Sequence, residues 1–293
     1  MNKKRATLTG LLAIVLWSTM VGLIRAVSEG LGPVGGAAMI YTLSGILLIL
    51  TVGFPDIRRF PRCYLLVGSV LFVSYELCLA LSLGFAATRQ QAIEVGMVNY
   101  LWPSVTILFA ILFNGQKATL WVIPGLILAV IGVSWVLGGE QGLNLHDITQ
   151  NILSSPLSYS LAFAGAFIWA AYCTVTSKYA KGSNGITLFI LLTAATLWIK
   201  FALTDQPTMH FTLPVVIKLA MTAVALGFGY AAWNTGILHG HVAVLAAASY
   251  FTPVLSSALA AAVLSAPLSF SFWQGAFMVC GGSLLCWWAT RRQ

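Results

Sequence analysis

Tyr100-Leu-Trp-Pro103 returns as Tyr250-Phe-Thr-Pro253, and Gly125 and Gly132 return as Gly275 and Gly282, each pair 150 positions apart. The two stretches stay aligned without a gap for about thirty-five residues, which marks a tandem duplication of roughly 150 residues. An earlier pair, Trp17 in LWSTMVG and Trp169 in IWAAYCT, matches at an offset of 152. A duplicated chain must fold as two similar halves. In an apolar protein, duplication around proline-interrupted helices points to a membrane transporter whose site lies between those halves.

The apolar character is plain. Hydrophobic residues are 59% of the 293 positions and charged residues 8%, with a mean hydropathy of +0.91. Such a chain would aggregate in water and is at home in lipid. With about 20 apolar residues per spanning helix, roughly 200 residues fit in the bilayer, which leaves no room for a sizeable soluble domain. The net charge of +8 sits in short basic clusters between apolar runs, as topology determinants do, and excludes a nucleic-acid-binding role. Cys63, Cys78, Cys173, Cys280 and Cys286 lie in or beside apolar segments without metal-ligand spacing. They read as small buried hydrophobes rather than disulfides. Lys3-Lys4-Arg5 precedes an apolar run too long for a signal peptide, so that run is expected to be an uncleaved first span.

Ten apolar segments follow, near 7–27, 34–53, 64–86, 93–113, 118–137, 158–178, 185–203, 213–236, 242–264 and 269–289. The longest connection, 138–157, carries Glu140, His146 and Asp147 and joins a first repeat, 1–137, to a second, 158–293. Alternating the spans puts Lys3, Lys4, Arg5, Arg58, Arg59, Arg62, Lys117, Lys178, Lys181, Arg291 and Arg292 on one side. Only Arg25, Arg89, Lys200 and Lys218 fall on the other, so both termini are expected in the cytoplasm. Glu29, Glu94, Glu140, Asp147 and Asp205 gather on or near the outer side. Each repeat holds five spans. An odd number sends the second repeat into the membrane from the opposite face, so the predicted fold is all-α: ten transmembrane helices as two inverted five-helix repeats.

The segments LLAIVLWSTMVGLIR, SYELCLALSLGFAAT, QAIEVGMVNYLWPS, GAFIWAAYCTVT and SYFTPVLSSALAA carry a resemblance to a known family. With each repeat ending in a proline helix, a short polar turn and a helix bearing two glycines seven apart, the chain resembles the drug/metabolite transporter superfamily of EamA type. The resemblance covers the whole chain and is closest to aromatic amino acid exporters. It implies a ten-helix carrier of the bacterial inner membrane that exports phenylalanine, tyrosine and tryptophan. One departure stands out. Many members of the superfamily have a Glu in the turn after the proline helix, where this chain has Gln116 and Ala266, so no role of that Glu carries over.

Pro103 and Pro253 are candidate hinges, since proline inside a helix removes a hydrogen bond and frees carbonyls that only protein or a wet cavity can satisfy. A static kink is the alternative. Trp121, Trp135, Trp198, Trp273, Trp287 and Trp288 lie towards span ends and read as interfacial anchors. Trp17, Trp102, Trp169 and Trp233 lie inside spans, with Tyr75, Tyr100, Tyr172, Tyr230 and Tyr250. As a set near two broken helices they suit a flat, apolar ligand, although each could equally be interhelical packing. Asn99 and Asn234 could grip a zwitterionic head group or tie helices together. Glu76 stands midway along the third span, where an ionised carboxylate is costly. Three roles are open to it: accepting a coupling proton, pairing with a substrate ammonium, or a structural hydrogen bond. His239-Gly-His241 reads as a turn, not a metal site, and no cofactor motif, catalytic constellation or protein partner is evident.

The leading function is a secondary transporter exporting aromatic amino acids and similar amphipathic metabolites by alternating access. A multidrug efflux carrier for flat organic cations is the alternative, because an aromatic cage with Glu76 would also hold a cation. A channel or scaffold ranks below both, and an enzyme last.

Overall fold

A computed structural model describes residues 2–291, without the side chains of Asn234, Ile237, Leu238, Val242 and Ala243. Within it the chain is helical throughout, with fourteen α-helices among the described residues. The first half runs α1 (Lys3–Ser18), α2 (Met20–Leu31), α3 (Pro33–Thr51), α4 (Ser69–Phe85), α5 (Arg89–Asn99), α6 (Trp102–Asn114) and α7 (Val122–Leu137). The second runs α8 (Leu145–Ser154), α9 (Pro156–Tyr179), α10 (Ile186–Leu203), α11 (Leu213–His239), α12 (Val242–Ser249), α13 (Thr252–Leu264) and α14 (Phe270–Arg291).

Among the described residues six helical runs are long and apolar enough to cross a bilayer, and the bent pair α1–α2 makes a seventh. Outward faces carry large apolar side chains such as Leu50, Ile127 and Phe277, more than half exposed, a surface that suits lipid and not water. The chain is a multi-pass membrane protein.

Where the sequence predicts one span at 7–27, the structure breaks at Thr19 and bends by 40°. The Thr19 hydroxyl donates to the Leu16 carbonyl at 2.6 Å and its N–H to the same carbonyl at 3.1 Å, a tighter turn that interrupts the helix. The segments 93–113 and 242–264 are also interrupted, between α5 and α6 and between α12 and α13. Both breaks precede the prolines. Pro103 and Pro253 occupy the first turns of α6 and α13, where a missing N–H leaves no bond unmade. Helices α6 and α13 also end alike, on left-handed Gly115 (φ 68°) and Ser265 (φ 51°), 150 positions apart. The connection 138–157 contains a helix of its own, α8, capped by the Asn144 side chain, which accepts from His146 N–H and Asp147 N–H at 3.0 and 3.4 Å.

The helices sort into two compact units. Unit 1 comprises Met1–Arg58 with Asn184–Ser265, and unit 2 comprises Arg59–Ser183 with Ala266–Gln293. Each draws helices from both copies of the duplicated sequence. In unit 1, α1 packs on α11 and on α12–α13, and α3 packs on α10. In unit 2, α9 packs on α4 and on α5–α6, and α7 packs on α14.

The α7–α14 pair is the tightest seam. A methyl group on Gly132 would lie 2.7 Å from the Gly275 carbonyl oxygen, and one on Gly282 would lie 2.6 Å from that of Gly125. Backbone meets backbone there, which only glycine permits. As α7 runs from 125 to 132 its partner runs from 282 to 275, so the two helices are antiparallel. The α3–α10 pair runs the same way, Gly45 against Leu191 and Gly35 against Phe201.

Candidate functional site

Each unit is organised around one tryptophan. In unit 1, Trp17 of α1 stands 5.2 Å from Tyr230 (66° between planes) and 5.2 Å from Trp233 (46°), both on α11. The approach depends on Gly229, where an added methyl would fall 2.7 Å from the Trp17 indole nitrogen. In unit 2, Trp169 of α9 stacks on Tyr75 of α4 at 4.4 Å (39°) and on Tyr172 at 5.1 Å (32°). Phe72 and Trp102 close on it at 6.2 Å, Trp102 edge-on at 81°. These separations are those of favourable aromatic pairs.

The two centres correspond. Trp17 and Trp169 are equivalents in the duplication, and Ser74-Tyr-Glu76 aligns with Gly229-Tyr-Ala231 at an offset of 155. A tryptophan from one helix therefore meets a tyrosine from its partner twice over. The surroundings differ: Glu76 stands where unit 1 has Ala231, and Trp102 where it has Thr252.

Around Trp169 the polar groups are few and held. Glu76 is 1% exposed on α4, next to Tyr75. Asn99, at the last turn of α5, is buried, and its amide donates to the Ala162 carbonyl of α9 at 3.3 Å, with Gly165 packed beside it. That bond links α5 to α9. Tyr100 follows at the break, its N–H reaching the Gly96 and Met97 carbonyls at 3.2 and 3.1 Å. Tyr250 occupies the matching break between α12 and α13 in unit 1, as buried as Tyr100. The side chain of Asn234 lies outside the described residues.

The sequence treats Glu94 only as a mark of sidedness, but the structure buries it, 6% exposed, at the centre of a polar cluster. Its carboxylate accepts from Asn151 Nδ2 at 2.8 Å, Gln90 Nε2 at 3.1 Å and the Tyr159 hydroxyl at 3.1 Å. Asn151 also donates to the Leu137 carbonyl at 3.2 Å, and Gln91 to Ser154 at 2.8 Å. Helices α5, α7, α8 and α9 are joined there beside an open cleft of about 320 Å³, lined in part by Glu140, Asp147 and Asn151. The available sequence signal is a carboxylate one turn from a glutamine inside an apolar run. Asn151 and Tyr159, 57 and 65 positions away, leave no local trace. Trp198, expected at the interface, donates its indole N–H to Thr42 Oγ1 at 2.9 Å and ties α10 to α3.

Each centre sets a part-exposed tryptophan beside a tyrosine, a flat π surface of the kind that can stack on a planar ring. A model of the EamA-like transporter family matches the chain twice, at residues 4–138 and 156–288. The chain belongs to the EamA-like transporter family. This transporter is 73% identical over 292 residues, all of both chains, to the aromatic amino acid exporter YddG of Escherichia coli (strain K12). It is also 73% identical over 293 residues, again all of both chains, to the aromatic amino acid exporter YddG of Salmonella typhimurium (strain 14028s / SGSC 2262). A protein of known crystal structure, 24% identical, matches 99% of each chain at a TM-score of 0.66 and shares the fold.

Proposed function

We propose that this transporter exports aromatic amino acids and similar amphipathic metabolites across the bacterial inner membrane by alternating access. The observation that carries the reading is the doubled Trp–Tyr centre, Trp17 with Tyr230 and Trp169 with Tyr75, in a chain 73% identical to named aromatic amino acid exporters. Trp17, Trp233 and Tyr250 of unit 1, and Tyr75, Tyr100, Trp102, Trp169 and Tyr172 of unit 2, are the aromatic contacts in this reading. Asn99 and Asn234 serve its head group, Pro103 and Pro253 mark the hinges, and Glu76 takes the coupling proton. Truncation to alanine at Trp17 or Trp169 should weaken transport of labelled tryptophan. Each lost stacking contact is worth about 0.5–1.5 kcal/mol, roughly two- to tenfold in apparent affinity. Trp273→Ala, a member of neither centre, should change little at matched expression. Equal losses at all three positions would mean a folding defect and remove the support for an aromatic site.

The architecture of the reading is ten spans in two inverted repeats, 1–137 and 158–293, joined by an extracytoplasmic 138–157. Antiparallel packing of the equivalent helices α7 and α14, and of α3 and α10, supports inversion, because a two-fold axis in the membrane plane reverses each helix onto its equivalent. Both termini then face the cytoplasm. Cysteine placed at Lys117 should resist an impermeant thiol reagent in intact cells, while cysteine at His146 should react. Reversed labelling would overturn the orientation.

A further inference from the structure

Helix α8 has ten residues and cannot span a bilayer, since about 15 Å of helix faces about 30 Å of hydrocarbon. Only Ser155 separates it from α9, so it stays at the end of a membrane helix. Its inner face is fixed by polar bonds: Asn151 to Glu94 and to the Leu137 carbonyl, and Ser154 to Gln91. Asp147, Ile148 and Ile152 are half-buried on that side. With its roll set in this way, the helix turns Leu145 (81% exposed) and Leu153 (63%) outward along one line with Thr149. Leu143 before it and Leu157 after it are also more than half exposed. The next line round the helix carries exposed His146 and Gln150. An apolar stripe edged by a polar one, on a short helix pinned to the end of a membrane helix, is the pattern of a segment lying in the lipid–water boundary.

We propose that α8 is an interfacial anchor, with Leu145 and Leu153 set among lipid acyl chains and His146 and Gln150 in water. Through Asn151 and Ser154 it fixes the height of α5 against the membrane surface. The proposal rests on the multi-pass placement of the chain, and Phe163, exposed on α9, serves as the control for that placement. Nitroxide labels are attached at Leu145→Cys, Leu153→Cys, His146→Cys, Gln150→Cys and Phe163→Cys in full-length protein reconstituted in phosphatidylethanolamine–phosphatidylglycerol vesicles. Cys63, Cys78 and Cys173 are replaced by alanine, and the buried Cys280 and Cys286 are kept. Power saturation with oxygen and a water-soluble nickel chelate should give a severalfold higher oxygen-to-nickel ratio at 145 and 153 than at 146 and 150. A high ratio at 163 with four equal, nickel-dominated values on α8 would overturn the anchor and leave the spanning fold intact. A nickel-dominated 163 would overturn the membrane placement itself. Spin–spin broadening at 145 and 153 would mean a second copy covers the stripe, and would also defeat the proposal. Labels at Leu143 and Leu157 provide replacements if a position on α8 does not yield monodisperse protein.

Discussion

Gly132→Ala is expected to lower the thermal midpoint of the detergent-purified transporter sharply, and Gly281→Ala to leave it unchanged or raised. Alanine is the better helix former at both positions by about 1 kcal/mol. The difference lies in what the new methyl meets. At 132 it would lie 2.7 Å from the Gly275 carbonyl oxygen and 2.8 Å from the Val279 nitrogen, whereas at 281 its nearest neighbour is a Leu128 methyl at 3.7 Å. Backbone cannot step aside as a flexible side chain can, so α7 and α14 must part along their length. Overpacking of this kind costs about 1–3 kcal/mol or more, enough to reverse the sign of the propensity gain. Gly275→Ala should behave like Gly132→Ala, and combining the two should cost less than their sum because one separation of the helices relieves both. Thermal unfolding followed by size-exclusion recovery measures all four variants. Similar midpoints for Gly132→Ala and Gly281→Ala would refute the close seam and weaken the case for inverted halves.

Glu76→Gln is expected to abolish proton-driven accumulation of substrate while sparing exchange of labelled for unlabelled tryptophan. The carboxylate is 1% exposed within α4, beside the tyrosine that stacks on Trp169. Glutamine matches the carboxyl group in shape and can neither take up nor release a proton. Proton-coupled transport needs the group to change charge state, whereas exchange does not. Loss of both activities would assign Glu76 to the substrate ammonium instead. Retention of both, at equal membrane expression, would leave it a structural hydrogen-bonding group.

The sequence reveals the features that repeat. The offset of 150 places both breaks, both prolines and the four seam glycines, because a duplicated backbone problem recurs with the same residues. It does not reveal which glycine faces which. Equivalence in the duplication pairs Gly132 with Gly282, while the structure sets Gly132 against Gly275 and Gly125 against Gly282, since equivalent helices meet head to tail. Nor is the Trp–Tyr pairing legible, because Trp17 and Tyr230 are 213 positions apart and aromatic composition is silent about partners. Asn99 shows the limit on single residues: a buried amide suits a ligand or a carbonyl equally, and the sequence carries no trace of its 3.3 Å bond to the Ala162 carbonyl. Helix α8 hides for another reason. Its ten residues alternate too many polar groups with leucines to stand out as a span, and its start depends on the side chain of Asn144. The bend at Thr19 is similar, a matter of one hydroxyl and one carbonyl.

The central claim is that this transporter carries aromatic amino acids by moving a single site between two faces. Counterflow tests it most directly. Proteoliposomes loaded with unlabelled tryptophan are diluted into a trace of labelled tryptophan, with no pH gradient. A carrier exchanges its cargo at each turnover, so label should accumulate transiently above its external concentration and then decay. The overshoot should saturate with tryptophan, shrink in Trp169→Ala and be absent from protein-free vesicles. Label that merely equilibrates, without overshoot or saturation, would mean a pore and contradict the account.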